Sequence, residues 1–126
     1  MSADTTMIRI LAVDDHPMFR GALAALLCSQ PDMKVVAEAA SGREAIQQFR
    51  THQPDVTLMD LQMPGMNGVD AMAAIRSEFP DARIIILTTY ESDVKNVVNG
   101  GARAYLLKTH LDQELLGTIR AVHAGK

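Results

Sequence analysis

The sequence has no tryptophan, two tyrosines, three phenylalanines and a single cysteine, Cys28. One cysteine excludes an intramolecular disulfide, so we expect a reducing compartment and a buried thiol that fills core space. No apolar run is long enough to span a bilayer, and the start of the chain lacks the features of a signal peptide. The net charge of −3 gives no basic footprint for nucleic acid or a membrane surface. These absences predict a cytoplasmic protein without membrane contact.

The composition is otherwise that of an ordinary globular protein. Apolar residues make up 48% of the chain and charged residues 21%, which is typical of a domain with a proper hydrophobic core. A length of 126 residues predicts one domain, 1–126, with its core over about 7–124. We find no linker, repeat or low-complexity tract.

Short apolar runs separated by proline predict the strands. Pro31, Pro54 and Pro80 each stand directly before an aspartate and such a run, and proline ends a preceding helix while aspartate suits the turn. The runs are IRILAV (8–13), KVVAEA (34–39), VTLMD (56–60), RIIILT (83–88) and AYLL (104–107). They are rich in Val, Ile and Leu and mostly continuous, as in strands that are buried on both faces of a parallel sheet.

Five segments with helical periodicity follow the strands. They begin at Pro17, at the capping-box pair Ser41 and Glu44, near Val69, before Val94 and after Thr109. The first segment is predicted to face inward with its apolar residues, which are Phe19, Leu23, Leu26 and Leu27. Asn67-Gly68 is interpreted as a turn into the third segment, and the fourth carries Val94, Val97 and Val98 and stops at Asn99–Gly101. Five successive βα units predict an α/β fold, a flavodoxin-like doubly wound five-stranded parallel sheet of order 2-1-3-4-5 with five helices.

Acidic side chains follow two strands that this order makes neighbours. Asp14 and Asp15 come directly after the first strand, and Asp60 ends the third. Ligands bind at the carboxyl ends of such strands, so the three carboxylates should converge there. They repel one another, and each should hold its proton more tightly than in water. Because all the candidate ligands are hard oxygens, we expect a bound Mg²⁺ or Mn²⁺ to compensate the repulsion between the carboxylates.

Two further strand ends add a hydroxyl and a positive charge. Thr88 ends the fourth strand and Lys108 follows the fifth. A carboxylate nucleophile with a metal, a lysine and a hydroxyl around it suits the formation of an aspartyl phosphate. His16 has no second His or Cys at ligand spacing, so we interpret it as a loop or helix-start residue.

Four motifs in this order and spacing resemble the receiver domain of two-component response regulators: AVDDHP, LMDLQMPGMNG, ILTTYES and GARAYLLK. The resemblance covers about residues 7–124. It implies that Asp60 is the phosphoacceptor for a sensor histidine kinase. It also implies that Asp15, Asp60 and the backbone carbonyl of Gln62 hold Mg²⁺, with Asp14 supporting the metal mostly through water.

The same resemblance implies a switch and an output. Thr88 and Lys108 would contact the phosphoryl group, and Tyr105 would change rotamer with Thr88. Thr109 stands where many receivers have a cis-proline. The stretches DDHPMFRGAL, LTTYES and AYLLKTH resemble the subgroup with a C-terminal LuxR-type helix-turn-helix. DNA would be contacted only through that domain, which this sequence does not contain, so we expect a truncated regulator rather than a natural single-domain receiver.

Other readings of the sequence are weaker. A small aspartyl-phosphate-forming phosphohydrolase of the haloacid-dehalogenase type would carry a second acid where Gln62 stands, and would need room for a cap. A flavin site would need an anion-binding loop where DDHP is acidic. We therefore expect no enzyme acting on an external substrate. Two faces are candidates for the interface of a phosphorylation-dependent homodimer. One is formed by the first and last helices, and the other by the helix with Val94.

Overall fold

The computed structural model describes residues 7–89 and 101–125. Five parallel strands form one sheet of order β2-β1-β3-β4-β5. The strands are β1 Ile8–Val13, β2 Met33–Ala39, β3 Val56–Asp60, β4 Ile84–Thr88 and β5 Ala104–Leu107. The predicted strand order is confirmed, and each predicted strand agrees with the structure to within one residue.

Four α-helices and one short 3₁₀ turn lie in the described ranges. They are α1 Pro17–Cys28, α2 Gly42–His52, α3 Gly68–Glu78, the 3₁₀ turn Lys108–His110 and α4 Leu111–His123. The further helix that was predicted around Val94, Val97 and Val98 falls outside the described residues. None of the described helices has the length and apolar character that a bilayer span requires.

Side-chain caps fix the starts of α2 and α3; the cap of α2 was predicted, and the Asn67 cap of α3 lies in the predicted turn. The hydroxyl of Ser41 accepts a hydrogen bond from the Glu44 N–H at 3.1 Å, and the Glu44 carboxylate accepts one from the Ala40 N–H at 2.6 Å. The side-chain oxygen of Asn67 accepts a hydrogen bond from the Asp70 N–H at 2.9 Å. These bonds satisfy backbone donors that have no partner inside the helix, so both helices begin at fixed residues.

The sheet separates two hydrophobic cores. The first core joins one sheet face to α1 and α4, with Leu27, Leu115 and Ile119 fully buried. The second core joins the other face to α2 and α3. Strands β3 and β4 are buried along their whole length, whereas the edge strands β2 and β5 are partly exposed. The prediction that the strands are buried on both faces is therefore confirmed for the centre of the sheet and wrong for its edge strands.

The expectation that Cys28 fills the core is wrong, because the thiol is exposed. On α1 the buried positions are Leu23 and Leu27, with Phe19 packed half-buried one turn earlier. This stripe follows a spacing of four residues, so the next residue, Cys28, projects about 100° away from Leu27. Leu26, which was also predicted to face inward, is 38% exposed for the same reason.

Candidate functional site at the carboxyl edge of the sheet

Parallel pairing brings the three predicted carboxylates together. Val13 of β1 pairs with Met59 of β3, so the next residue of each strand, Asp14 and Asp60, leaves the sheet side by side. One ligand atom from each of Asp14, Asp15, His16 and Asp60 can be chosen so that all lie within 4.8 Å of one another. The structure thus forms one acidic pocket at the edge where the fold predicts a ligand site.

Asp14 is fully buried, and both of its carboxylate oxygens have partners. Oδ1 accepts a hydrogen bond from the His16 N–H at 2.8 Å, and Oδ2 accepts one from Lys108 Nζ at 2.9 Å. The Asp14 backbone carbonyl accepts a further bond from the Arg20 guanidinium at 2.7 Å. These contacts fix the position of the Asp14 carboxylate within the pocket.

Lys108 reaches into the pocket from the end of β5. Its Nζ lies 3.2 Å from Asp60 Oδ1, in addition to the bond to Asp14. The same ammonium lies 4.5 Å from the centroid of the Phe19 ring, on its face. The Lys108 side chain is 18% exposed, so two carboxylates and an aromatic face replace most of its water. A lysine held in this way is a fixed positive charge beside Asp60.

The environment shifts the pKa values of both groups. Burial raises the pKa of Asp60 above 3.8, and the charge of Asp14 raises it further, while Lys108 and a backbone hydrogen bond from Gln62 lower it only in part. Burial lowers the pKa of Lys108, but its hydrogen bonds and ion pairs with Asp14 and Asp60 outweigh this, so the net pKa lies above 10.5. Lys108 is therefore fully charged at neutral pH, and Asp60 carries an unfavourable buried charge.

Two oxygens in the pocket have no hydrogen-bond partner among the described residues. They are Oδ2 of Asp60 and Oδ1 of Asp15. Asp60 is only 3% exposed, and buried polar atoms are normally paired, so these oxygens need an explanation. A hard cation supplies one, because carboxylate oxygens are the ligands that Mg²⁺ prefers. The donor set that is present therefore fits Mg²⁺.

The loop after β3 packs tightly against Asp60. The Gly68 N–H donates a hydrogen bond to the Leu61 carbonyl at 2.8 Å. A Cβ at Gly68 would lie inside van der Waals contact of the Asp60 carbonyl oxygen and 2.9 Å from the Leu61 Cα. The start of α3 therefore rests directly on the backbone of Asp60 and Leu61, at a distance that only glycine permits.

The remaining predicted site residues lie on the neighbouring strands. Thr88 is buried as the last residue of β4, beside β3. Tyr105 on β5 is 37% exposed and lines a surface cavity of about 640 Å³ with His110 and Glu114. Thr109 continues the chain into the 3₁₀ turn, and the described ranges contain no cis peptide bond.

Sequence reasoning passed over two residues of this site. His16 does lie at the helix start, as the residue before α1, but its Nδ1 is 3.1 Å from Oδ1 of Asp14 and 3.1 Å from Oδ1 of Asp15. Phe19 was assigned to the core face of α1, whereas its ring also covers Lys108. Their positions in the sequence could have indicated that they belong to the site, because both residues lie within the first turn after the two aspartates.

Comparison with known proteins identifies the class. The sequence model described as "response regulator receiver domain" matches residues 10–120. The chain therefore belongs to the response regulator receiver domain family, and it is a receiver domain rather than a stand-alone phosphohydrolase.

The relatives place it within that family. The chain is 45% identical over 122 residues to the transcriptional regulatory protein LiaR of Bacillus subtilis, covering 95% of this chain and 58% of LiaR. It is 41% identical to the oxygen regulatory protein NreC of Staphylococcus haemolyticus, and the match covers 94% of this chain and 56% of NreC. The crystal structure of a two-component response regulator of the LuxR family from Aurantimonas sp. superposes with a TM-score of 0.91 at 37% identity. The superposition covers 95% of this chain and 87% of that one. The chain thus spans somewhat over half the length of these curated relatives.

Proposed function

We propose that this receiver accepts a phosphoryl group on Asp60 from a sensor histidine kinase and changes conformation in response. The observation that carries the proposal is the Asp60 carboxylate, which is buried beside Asp14 and held 3.2 Å from Lys108, and whose Oδ2 has no hydrogen-bond partner within residues 7–89 and 101–125. A nucleophile with a positive charge beside it and a cation site next to it is suited to phosphoryl transfer.

In the transfer, a carboxylate oxygen of Asp60 attacks the phosphorus, a P–O bond forms and the P–N bond to the kinase histidine breaks. Mg²⁺, when bound, neutralises charge on the phosphoryl oxygens. The ligands that we propose for it are Asp15, Asp60 and the Gln62 backbone carbonyl, with Asp14 acting mostly through water. Lys108 turns its ammonium from Asp60 toward the phosphoryl group that forms there, which stabilises developing negative charge.

The conformational response uses the neighbouring strands. Thr88 donates its hydroxyl to the phosphoryl group, and Tyr105 leaves its exposed position and turns inward. This changes the surface formed by the predicted helix around Val94–Val98, by β5 and by α4, and with it the population of two states of one domain. The proposal includes a cytoplasmic location and a homodimer that phosphorylation promotes.

The output of the proposed switch is transcription. LiaR is named as a transcriptional regulatory protein, and this chain spans 58% of its length. We infer that DNA is contacted by a C-terminal helix-turn-helix domain of the whole regulator and not by this domain, whose net charge is −3.

A labelling experiment tests the phosphoacceptor. We expect acetyl phosphate to phosphorylate the purified chain when Mg²⁺ is present and not when it is chelated, and mass spectrometry after borohydride reduction should place the modification on Asp60. Mn²⁺ should substitute for Mg²⁺, since both prefer oxygen ligands. Phosphorylation that proceeds equally in a chelator, or that maps to another residue, would contradict the proposal.

The aromatic face beside Lys108 gives a second prediction. Phe19→Leu keeps an apolar side chain but removes the ring that lies 4.5 Å from Lys108 Nζ. A cation–π contact is worth about 0.5–2 kcal/mol, so we expect phosphorylation by acetyl phosphate to slow roughly 2- to 30-fold. Phe19→Tyr retains a ring face and should stay within about twofold of the wild type. Equal rates for the leucine and tyrosine variants would show that the ring does not position the lysine.

A further inference from the structure

Arg20 turns its side chain from the start of α1 back toward the loop after β1. It is the one charged residue of α1, yet its side chain is only 20% exposed. Its guanidinium donates hydrogen bonds to the Asp14 backbone carbonyl at 2.7 Å and to the Glu38 carboxylate at 3.0 Å. We propose that Arg20, oriented by Glu38, is a positioning residue that directs the Asp15 carboxylate and thereby sets the affinity for Mg²⁺. The inference rests on the function proposed above, in which Asp15 is a metal ligand.

The hydrogen bond from Arg20 acts on Asp15 through a single peptide group. The carbonyl of Asp14 and the N–H of Asp15 lie in one plane, so a fixed carbonyl fixes the backbone from which the Asp15 side chain projects. The preceding peptide is held as well, because the Asp14 N–H donates to the Ala39 carbonyl of β2 at 3.0 Å. Arg20 and β2 therefore hold the two peptide groups on either side of Asp14.

The two aspartates differ in how their carboxylates are held. Asp14 has a partner on each oxygen, the His16 N–H and Lys108 Nζ. Oδ1 of Asp15 has no hydrogen-bond partner among the described residues, and the side chain is 22% exposed. The place of this oxygen in the pocket therefore depends on the backbone of Asp15, and loss of the Arg20 bond should affect Asp15 more than Asp14.

Glu38 fixes the direction of the guanidinium. It stands directly before Ala39 at the end of β2, and its Oε1 accepts the bond from Arg20 Nε. The guanidinium is planar and its donors form a rigid fork, so the bond at Nε restricts where Nη1 can point. Nη1 is the atom that reaches the Asp14 carbonyl. The Glu38 side chain is 45% exposed, and exposed ion pairs contribute little to stability, so the role of this pair is geometric.

Charge and geometry predict opposite effects for Arg20. A positive charge near the pocket repels a divalent cation, so removing a residue that acted through its charge alone would strengthen Mg²⁺ binding. Removing a residue that positions Asp15 weakens it. Glu38 offers a similar distinction, because glutamine lacks the negative charge but keeps an oxygen that accepts a hydrogen bond. The sign and pattern of the changes therefore separate the two roles.

Titration calorimetry with Mg²⁺ tests the inference on the purified chain. We expect Arg20→Gln to lower Mg²⁺ affinity about tenfold, the lower end of the loss when a group that supports a metal ligand is removed. Glu38→Ala should lower it less, by about threefold, and Glu38→Gln should retain the affinity to within about twofold. Arg50→Gln is the matched control, because Arg50 forms an ion pair with Glu78 between α2 and α3, outside the pocket. That variant should bind Mg²⁺ as the wild type does.

The rate of labelling by acetyl phosphate provides an independent readout. In Arg20→Gln the Mg²⁺ concentration that gives half the maximal rate should rise about tenfold, in line with the affinity. The rate at saturating Mg²⁺ should stay within about twofold of the wild type, because Asp60 and Lys108 are unchanged.

Two results would overturn the positioning role. One is a Mg²⁺ affinity of Arg20→Gln that equals or exceeds that of the wild type, and the other is an equal loss in Glu38→Gln and Glu38→Ala. Urea denaturation shows whether each variant is folded, and the two Glu38 variants decide the question if Arg20→Gln is not. Either result leaves the phosphoacceptor proposal intact, whereas a wild-type chain that binds no Mg²⁺ would contradict the proposed function itself.

Discussion

Replacing Asp60 with asparagine should abolish phosphate incorporation and, at the same time, stabilise the domain. Asparagine has the same shape but no negative charge and no nucleophilic carboxylate. The wild-type charge is unfavourable because burial and the nearby Asp14 raise the pKa of Asp60 above 3.8. Removing a poorly compensated buried charge should raise the free energy of unfolding by roughly 1–3 kcal/mol. Lys108 keeps its partner Asp14 at 2.9 Å in the variant.

The pH dependence of this gain in stability follows from the raised pKa of Asp60 in the folded chain. Well below pH 3.8 Asp60 is protonated in both the folded and the unfolded chain, so the charge contributes nothing. As the pH rises toward the higher folded pKa, the unfolded chain loses the proton first, and wild-type stability falls relative to Asp60→Asn. The difference between the two proteins should therefore grow from acid to neutral pH.

Urea denaturation in a chelator, with acetyl phosphate labelling in parallel, measures both effects. Asp81→Asn is the matched control, since Asp81 is exposed and lies outside the pocket. That variant should take up phosphate normally and should differ from the wild type by less than about 0.5 kcal/mol. Phosphate incorporation by Asp60→Asn, or a loss of stability in that variant, would refute the role assigned to the Asp60 carboxylate.

The second large effect is expected at Gly68. An alanine Cβ there would overlap the Asp60 carbonyl oxygen and lie 2.9 Å from the Leu61 Cα. Both are backbone atoms, so α3 and the end of β3 would have to move apart. We expect Gly68→Ala to cost roughly 1–3 kcal/mol of stability, as overpacking of a core typically does. Because the displaced strand end carries Asp60, phosphorylation should also slow.

Gly117→Ala provides the control for that substitution. Gly117 lies inside α4, and a Cβ there would meet nothing within 4 Å. Alanine in an open helix position should stabilise the chain by about 0.5–1 kcal/mol. The two glycine variants should therefore shift the urea midpoint in opposite directions. A Gly68→Ala protein that is as stable as the wild type and is phosphorylated at the same rate would show that the close packing is not required.

Local sequence signals were sufficient for the strands and for the three acidic side chains. Apolar runs bounded by Pro-Asp located β3 and β4, the capping-box pair Ser41 and Glu44 located the start of α2, and the turn at Asn67-Gly68 located the start of α3. The parallel sheet then brought Asp14 and Asp60 together, because neighbouring strands end at one edge. Each of these steps needs only short-range patterns and the rules of sheet topology.

The remaining features depend on packing between distant segments. The contact of Phe19 with Lys108 joins residues from the first and last parts of the chain, and nothing local to either residue indicates it. The tight approach of Gly68 to Asp60 depends on the path of the loop between them. Cys28 was misplaced because an apolar neighbourhood does not specify which side of a helix faces the sheet.

The division of the interior by the sheet also has a consequence for the order of folding. Apart from two residues of β1, the buried residues of the core beneath α2 and α3 lie within 39–86, a stretch that can close through short loops. The core beneath α1 and α4 joins Ile8 to Val122, so it requires the two ends of the chain to meet. Since long loops cost more entropy to close, the α2–α3 side should form first and docking of α4 should come last.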